Sequence, residues 1–250
     1  MQIIEPMGPA RMNESAAANA WGGTLTLGPG LSLFTGRAGD TSVHAHPAHK
    51  VLVGALVRAT SVSEETAAPW VTAIPAALPH AVSLVGGPVL IAYLDPHRFT
   101  FDSARALAHA WRGFVPDQDD PTELLMDAQA LPRRRIDRRL AVAREALEAG
   151  LRVPEAAARA RLSPSRLAHL WTEQLGAPPS TFRVWWRLRD AMDALAQGDN
   201  VTRASVGAGF ADAAHFARTC RRVLGIAPSA LGDGRLLLAR PLGECARLAF

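Results

Sequence analysis

The sequence predicts an α+β fold in which an antiparallel β region is followed by an all-helical region. Three observations predict it. Short β-branched stretches broken by Gly and Pro occupy the first hundred residues, helical periodicity dominates the rest, and charge is segregated between the two. Residues 1–132 hold 7 Lys+Arg against 12 Asp+Glu, residues 133–231 hold 17 against 9, and residues 232–250 hold 3 against 2. Arg richness with a single lysine, Lys50, fits a GC-rich genome, but that bias does not segregate charge. An acidic part joined to a basic part implies two domains, the second facing a polyanion.

The expected divisions are a tail (1–18), a β domain (19–98), two linker helices (99–132), a helical domain (133–231) and a C-terminal tail (232–250). The stretches TLTLGPGLSLFTG, VLVGALVRATSV, WVTAIPAALPH and VSLVGGPVLIAYLD read as strands of a sandwich or small barrel. FDSARALAHAWRGF places Ala104, Leu107, Ala108 and Trp111 at helical spacing, and TELLMDAQAL does the same with Leu124, Leu125, Ala128 and Leu131. LPRRR reads as an exposed basic linker. At 48% hydrophobic and 20% charged residues the composition is globular. No apolar run approaches the ~20 residues needed to cross a bilayer, so no membrane partner is expected. Glu5 and the lack of a basic-then-apolar order argue against a secretory signal, so a cytoplasmic location is expected. Two cysteines, Cys220 and Cys245, without CxxC spacing, suggest neither a disulfide framework nor a zinc finger.

An internal repeat organises the helical region. Ser163 reads as a helix N-cap, with Leu167, Trp171, Gly176 and Pro179 following at +4, +8, +13 and +16. Asp212 reads as a second, with Phe216, Cys220, Gly225 and Pro228 at the same offsets, 49 residues later. The cap side chains accept first-turn N–H groups, the +4 and +8 residues form a buried stripe, and Gly stops each helix in a left-handed cap. A short helix precedes each, at Val153–Arg159 and Val201–Gly207, so each unit reads helix, turn, helix. Between them Ser180–Gln197 reads as one helix with Phe182, Trp185, Leu188, Met192 and Leu195 on its apolar side. Eighteen residues at ~1.5 Å each span about 27 Å, near the ~34 Å between successive major grooves on one face of DNA.

The faces opposite the buried stripes are the candidate readers of double-stranded DNA. The first presents Ser165, Arg166, His169, Thr172 and Glu173; the second presents Ala213, Ala214, His215, Arg218, Arg221 and Arg222. N-terminal residues of such helices reach base edges while flanking Arg residues grip phosphate. Arg218 can pair with guanine, and Ala213, Ala214 or Ala217 can touch a thymine methyl. A solvated face of a helical bundle is the plain alternative, and the matched caps weigh against it.

The stretch from Leu162 to Leu231 resembles the AraC/XylS family of regulators, within about 95 similar residues. Its signature stands as Gly209-Phe210, Asp212, His215-Phe216, Arg221-Arg222 and Gly225 to Pro228, with Arg187-Leu188 and Ala191 in the long helix. The chain departs from the pattern at Arg161 (commonly Gly), Ala204-Ser205 (commonly Ile-Ala), Cys220 (commonly aromatic) and Ala213-Ala214 (frequently polar). These departures point to a second unit acting chiefly through Arg218 and phosphate contacts. The resemblance implies a non-enzymatic transcription regulator with a small-molecule effector, a homodimer, and RNA polymerase as a further partner. The two amphipathic linker helices are the expected dimer surface.

The segment GDTSVHAHPAHKVLVGALV…VTAIPAALPHAV resembles the cupin-type sensing domain found ahead of such modules, over roughly residues 20–98. The resemblance implies a barrel in which His44, His46 and His80, with His49 nearby, line an effector pocket or ligate a divalent metal. Neutral imidazoles suit Zn, Ni, Cu or Fe(II). The carboxylate of the cupin pattern is replaced by His49-Lys50, which favours an organic-effector pocket or internal hydrogen bonding over metal. The rival reading is a metal-dependent cupin enzyme, an oxygenase or isomerase, with an appended helical domain.

Overall fold

The structure is a computed structural model and describes residues 21–28, 30–61, 65–84, 87–228 and 236–239. Its strands are β1 (Gly22–Gly28), β2 (Leu31–Arg37), β3 (His49–Ser61), β4 (Glu65–Ile74), β5 (His80–Leu84), β6 (Val89–Leu94) and β7 (Leu236–Ala239). The helices are α1 (Phe101–Ala110), α2 (Pro121–Ala130), α3 (Arg138–Glu148), α4 (Val153–Arg159), α5 (Pro164–Leu175), α6 (Pro179–Ala196), α7 (Val201–Gly207) and α8 (Ala213–Leu224). The expected tail 1–18 and most of 232–250 lie outside the described residues.

The strands form one mainly antiparallel sheet in the order β4-β3-β6-β2-β1-β7, with β5 also on β3. A register shift between Gly54 and Val57 divides β3, whose first half pairs with β6 (49–54) and whose second half pairs with β5 (57–61). β7, in the expected tail, adds to β1 in parallel.

The sheet is not a closed barrel, and this corrects the sequence expectation. Its central strands are apolar on both faces, as the unbroken VLIAYL of β6 shows, so both faces need cover. On one face Leu31, Leu33, Val51, Val53, Leu90, Ala92 and Leu94 pack with Leu107 and Trp111 of the α1 segment and with Leu124 and Leu125 of α2. On the other, Phe34, Leu52, Ile74, Val82 and Ile91 share a core with Leu188, Phe210 and Phe216 of the helical half. The linker helices therefore spend their apolar sides on their own sheet, which removes the motive for expecting a dimer through them. Met126, 70% exposed, is the conspicuous apolar residue they leave outside.

The helical half matches its expected layout. Ser163 and Asp212 cap α5 and α8 by accepting from the N–H groups of Arg166 and His215. Gly176 and Gly225 end these helices at φ +84° and +74°, a region where a Cβ is penalised. Leu167, Leu170, Trp171 and Leu175 are buried, as are Phe216, Cys220 and Val223. α6 starts at Pro179, one residue earlier than expected, because proline is well suited to a first helical turn. The basic linker is docked rather than free: Arg134 donates to the carbonyls of Pro96 and Gln174.

Candidate functional site

Each recognition helix is twelve residues long and follows a seven-residue helix. The intervening turns differ: residues 160–163 in the first unit and 208–212 in the second. Both turns need a left-handed residue, supplied by Gly209 at φ +78° and by Arg161 at φ +55°. Arg161 thus holds a conformation that favours glycine, which explains why its departure from the family pattern matters locally.

Ser165, Arg166, His169 and Thr172 are exposed along one side of α5, and Ala214, Arg218, Arg221 and Arg222 along the corresponding side of α8. Ala213 and His215 are half-buried. The His215 ring packs edge-on against Phe210 at 5.4 Å and its Nδ1 accepts from the Ala211 N–H, so this residue braces the turn. Residues 49 apart occupy equivalent positions, pairing His169 with Arg218, Thr172 with Arg221 and Glu173 with Arg222. Among the described residues Arg218, Arg221 and Arg222 form no ion pair, whereas His169 Nε2 lies 3.9 Å from Glu173. The second face is the more basic, and its guanidinium groups have no ion-pair partner among the described residues. Cys220 takes part only in packing; burial pushes its thiol up to about 12.

His44, His46 and His80 converge in the β domain, their ligand nitrogens within 4.8 Å of one another. They do so without the regular strand expected for the HxH pair, since His44 makes only an isolated bridge to His80. Each Nδ1 faces a backbone carbonyl: Ser42 at 2.8 Å, Ala48 at 3.0 Å and Leu78 at 2.8 Å. A carbonyl can only accept, so each Nδ1 carries the hydrogen and each Nε2 presents a lone pair. The Lys50 amine fills the space between them, 3.1 Å from His44 Nε2 and 3.0 Å from His80 Nε2. Burial pushes Lys50 down to about 7. Burial and the Lys50 charge lower His44 to about 3 and His80 to about 4, and burial also holds His46 well below its usual value. His46 Nε2 is buried without a partner.

Sequence reasoning noted Lys50 as the chain's single lysine and as standing where a carboxylate is expected, but did not place its amine among the histidines. As arranged, this donor set does not fit a metal ion, because the Lys50 amine already occupies two of the three lone pairs. His49 is not part of the cluster. It sits on the opposite face of β3 from Lys50, where its Nδ1 accepts from the Ala76 N–H at 2.9 Å and its ring faces Phe101.

The cluster touches the helical half directly. The His46 ring lies 5.4 Å from Trp185 of α6, and the Ser42 N–H and hydroxyl both donate to the Gly225 carbonyl, at 3.0 and 3.1 Å. Beside it an apolar cavity of about 100 Å³ separates Trp21, Phe34 and Tyr93 from Trp185, Leu188 and Met192. Nearby, the half-buried Asp95 joins His97 Nδ1 at 2.9 Å to Arg144 of α3 at 3.0 Å. Burial alone would raise the Asp95 carboxyl, but His97 and Arg144 outweigh it and hold the group ionised.

Residues 156–233 match a family described as a helix-turn-helix domain. That segment, which holds both capped helices, α5 and α8, therefore contains a helix-turn-helix domain. Solved structures of similar fold include fatty-acid-bound ToxT from Vibrio cholerae, 10% identical, which covers 80% of this chain and 93% of its own at a TM-score of 0.50. Also similar are an AraC-type regulator from Chromobacterium violaceum (26% identity, 38% and 89% coverage, TM-score 0.36) and an RmlC-like cupin from Shewanella frigidimarina (17%, 28% and 81%, 0.21). No curated protein sequence matches the chain. Among the described residues no helix is long and apolar enough to cross a membrane.

Proposed function

We propose that the chain is a sequence-specific transcription regulator whose β domain senses a small organic effector. The observation that carries this reading is the pair of capped recognition helices, 49 residues apart, with α6 between them and arginines on the second face that form no ion pair among the described residues. α6, eighteen residues long, spans about 27 Å between the two units. Ser165, Arg166, His169 and Thr172 face one major groove; Ala213, Ala214 and Arg218 face the next, and Arg221 and Arg222 grip phosphate.

The effector's place is the region of His44, His46, His80 and Lys50 with the neighbouring apolar cavity, which sits against both the sheet and α6. One of the solved ToxT structures holds an unsaturated fatty acid, which supports small-molecule binding on this fold. The metalloenzyme alternative loses support because Lys50 engages the histidine lone pairs. A second copy of the chain and RNA polymerase are the remaining proposed partners. Sedimentation that finds only monomer at micromolar concentration, with and without DNA, would count against the dimer.

Arg218→Ala tests the central claim. Specific binding should weaken by ~1–3 kcal/mol while binding to random DNA changes little. An equal loss on both would make Arg218 a phosphate contact. Binding to either that shows no salt dependence would refute DNA binding altogether.

A further inference from the structure

We propose that a second cavity, walled by the end of the sheet, the basic linker and α3, binds a small organic anion bearing a carboxylate or phosphate group. The cavity measures about 320 Å³ and is lined by Arg98, Arg133, Arg134 and Arg144 together with His97. That volume stands at the small end of the ~300–1,000 Å³ typical of ligand sites. Two carboxylates, Glu145 and Glu148, lie on the α3 wall.

The charge around it is unbalanced. Arg144 is matched by Asp95 and by Glu148, whose Oε1 accepts from Arg144 Nε at 2.9 Å. Arg98 donates to the carbonyls of Ala128 and Gln129 at 3.4 and 3.3 Å, and Arg134 to those of Pro96 and Gln174. Carbonyls accept these hydrogen bonds without neutralising the charge. Arg133 forms no ion pair among the described residues. Four guanidinium groups, Arg98, Arg133, Arg134 and Arg144, therefore stand against three carboxylates, Asp95, Glu145 and Glu148, a net of one positive charge, with Asp95 and Glu148 both spent on Arg144.

Three buried nitrogens of its lining residues have no hydrogen-bond partner: His97 Nε2, Arg98 Nε and Arg144 Nη2. Arg144 Nη2 does lie 3.0 Å from Asp95 Oδ2, an ion pair by distance that lacks hydrogen-bond alignment. His97 is 92% buried by difference from its 8% exposure, so its free nitrogen is costly unless something meets it. Burial and the neighbouring Arg133 charge also push the Arg98 guanidinium below its usual range, a repulsion that an anion relieves. Gly30, also on the lining, packs closely against Arg98: a Cβ there would stand 2.9 Å from Arg98 Cδ. The anion would bridge the sheet-end turn, the linker and the first helix of the DNA-binding half. This site is separate from the histidine cluster, and its existence does not depend on the regulator reading.

The full-length chain is titrated with inorganic phosphate and, separately, with benzoate, at ionic strength held constant with NaCl. Thermal unfolding and calorimetry give the readout. We expect at least one probe to give a saturable rise in melting temperature, phosphate or benzoate identifying the preferred anionic group. Arg133→Ala, at an exposed and unpaired position that the fold does not need, should weaken that binding roughly tenfold or more, and Arg133→Lys should largely restore it. An Arg221→Ala/Arg222→Ala double variant should bind the probe as the parent does. Failure of both probes to saturate beyond the NaCl control overturns the proposal. So does saturable binding that ignores Arg133→Ala or disappears in the Arg221/Arg222 variant.

Discussion

Gly176 and Gly225 end the two recognition helices with the same left-handed geometry, so substituting each with Ala separates backbone cost from domain docking. Both variants incur the left-handed penalty of about 1 kcal/mol. At Gly176 a Cβ would find only Ala76, at 3.9 Å, an ordinary contact. At Gly225 it would meet His44 Nδ1 at 2.6 Å, the Ser42 carbonyl at 2.7 Å and Thr41 Cβ at 2.8 Å. Two of those three are a backbone oxygen and a β-carbon, which cannot swing aside. Overpacking of this kind costs a further ~1–3 kcal/mol. At ~2–4 °C per kcal/mol for a chain of this size, Gly225→Ala should melt at least 2 °C below Gly176→Ala. The Ser42 amide, which donates to the Gly225 carbonyl at 3.0 Å, should exchange faster in Gly225→Ala and unchanged in Gly176→Ala. Equal melting temperatures with unaltered Ser42 protection would show that the second unit is not held against the histidine loop.

Other expectations concern single groups. Lys50→Met removes the amine from three convergent imidazoles, so the variant should retain near-stoichiometric Zn²⁺ or Ni²⁺ through dialysis where the parent does not; equal retention would show that Lys50 does not block the site. His44 and His80, lowered to about 3 and about 4, stay neutral in the folded chain at pH values where the unfolded chain binds protons. The unfolded state binds the extra protons between those values and 6.5, so stability falls as pH drops through that window, by up to ~1.4 kcal/mol per pH unit per histidine. Lys50, at about 7 when folded against 10.5, adds a rise in stability from pH 7 upward. Urea unfolding at pH 5 and 7.5 measures the acid limb, and a flat profile would sink it. Arg161→Gly should stabilise the chain by about 1 kcal/mol by relieving a left-handed non-glycine residue, and a destabilised variant would show that the Arg161 side chain contributes more than the strain costs.

The parts that were legible in the sequence are those whose signals are local. A cap, an i/i+4 stripe and a stopping glycine lie within one helix, and they place α5, α7 and α8 nearly to the residue. The convergence of His44, His46 and His80 was legible only through a resemblance, because the side chains meet across a loop and a strand. Parity explains the error over His49. Residues 49 and 50 alternate across β3, so the expected neighbour faces α1 while Lys50 joins the cluster. β7 pairs with β1 from more than 200 residues away, and four apolar residues in a tail carry no local sign of that partner. The need for cover on both faces was hinted at by the continuous apolar run of β6; α1 and α2 supply it on one side and the helical half on the other.

That two-faced sheet bears on how the proposed regulator would work. A ligand alters DNA affinity only through a difference in free energy between two states, so the effector region must touch something the recognition helices also touch. Both helices end on the loops that build the histidine cluster. Gly225 rests on residues 41–44, and Gly176 lies near Ala76, in the turn whose Ala77 N–H donates to the His46 carbonyl. The attachments are unequal, with contacts at Gly225 tight enough to exclude a methyl group and those at Gly176 loose. α6 fixes the spacing between the helices, whereas these two contacts fix their orientation to the sheet. A ligand that displaced Lys50 would therefore act first on the second unit, the one with the more basic face.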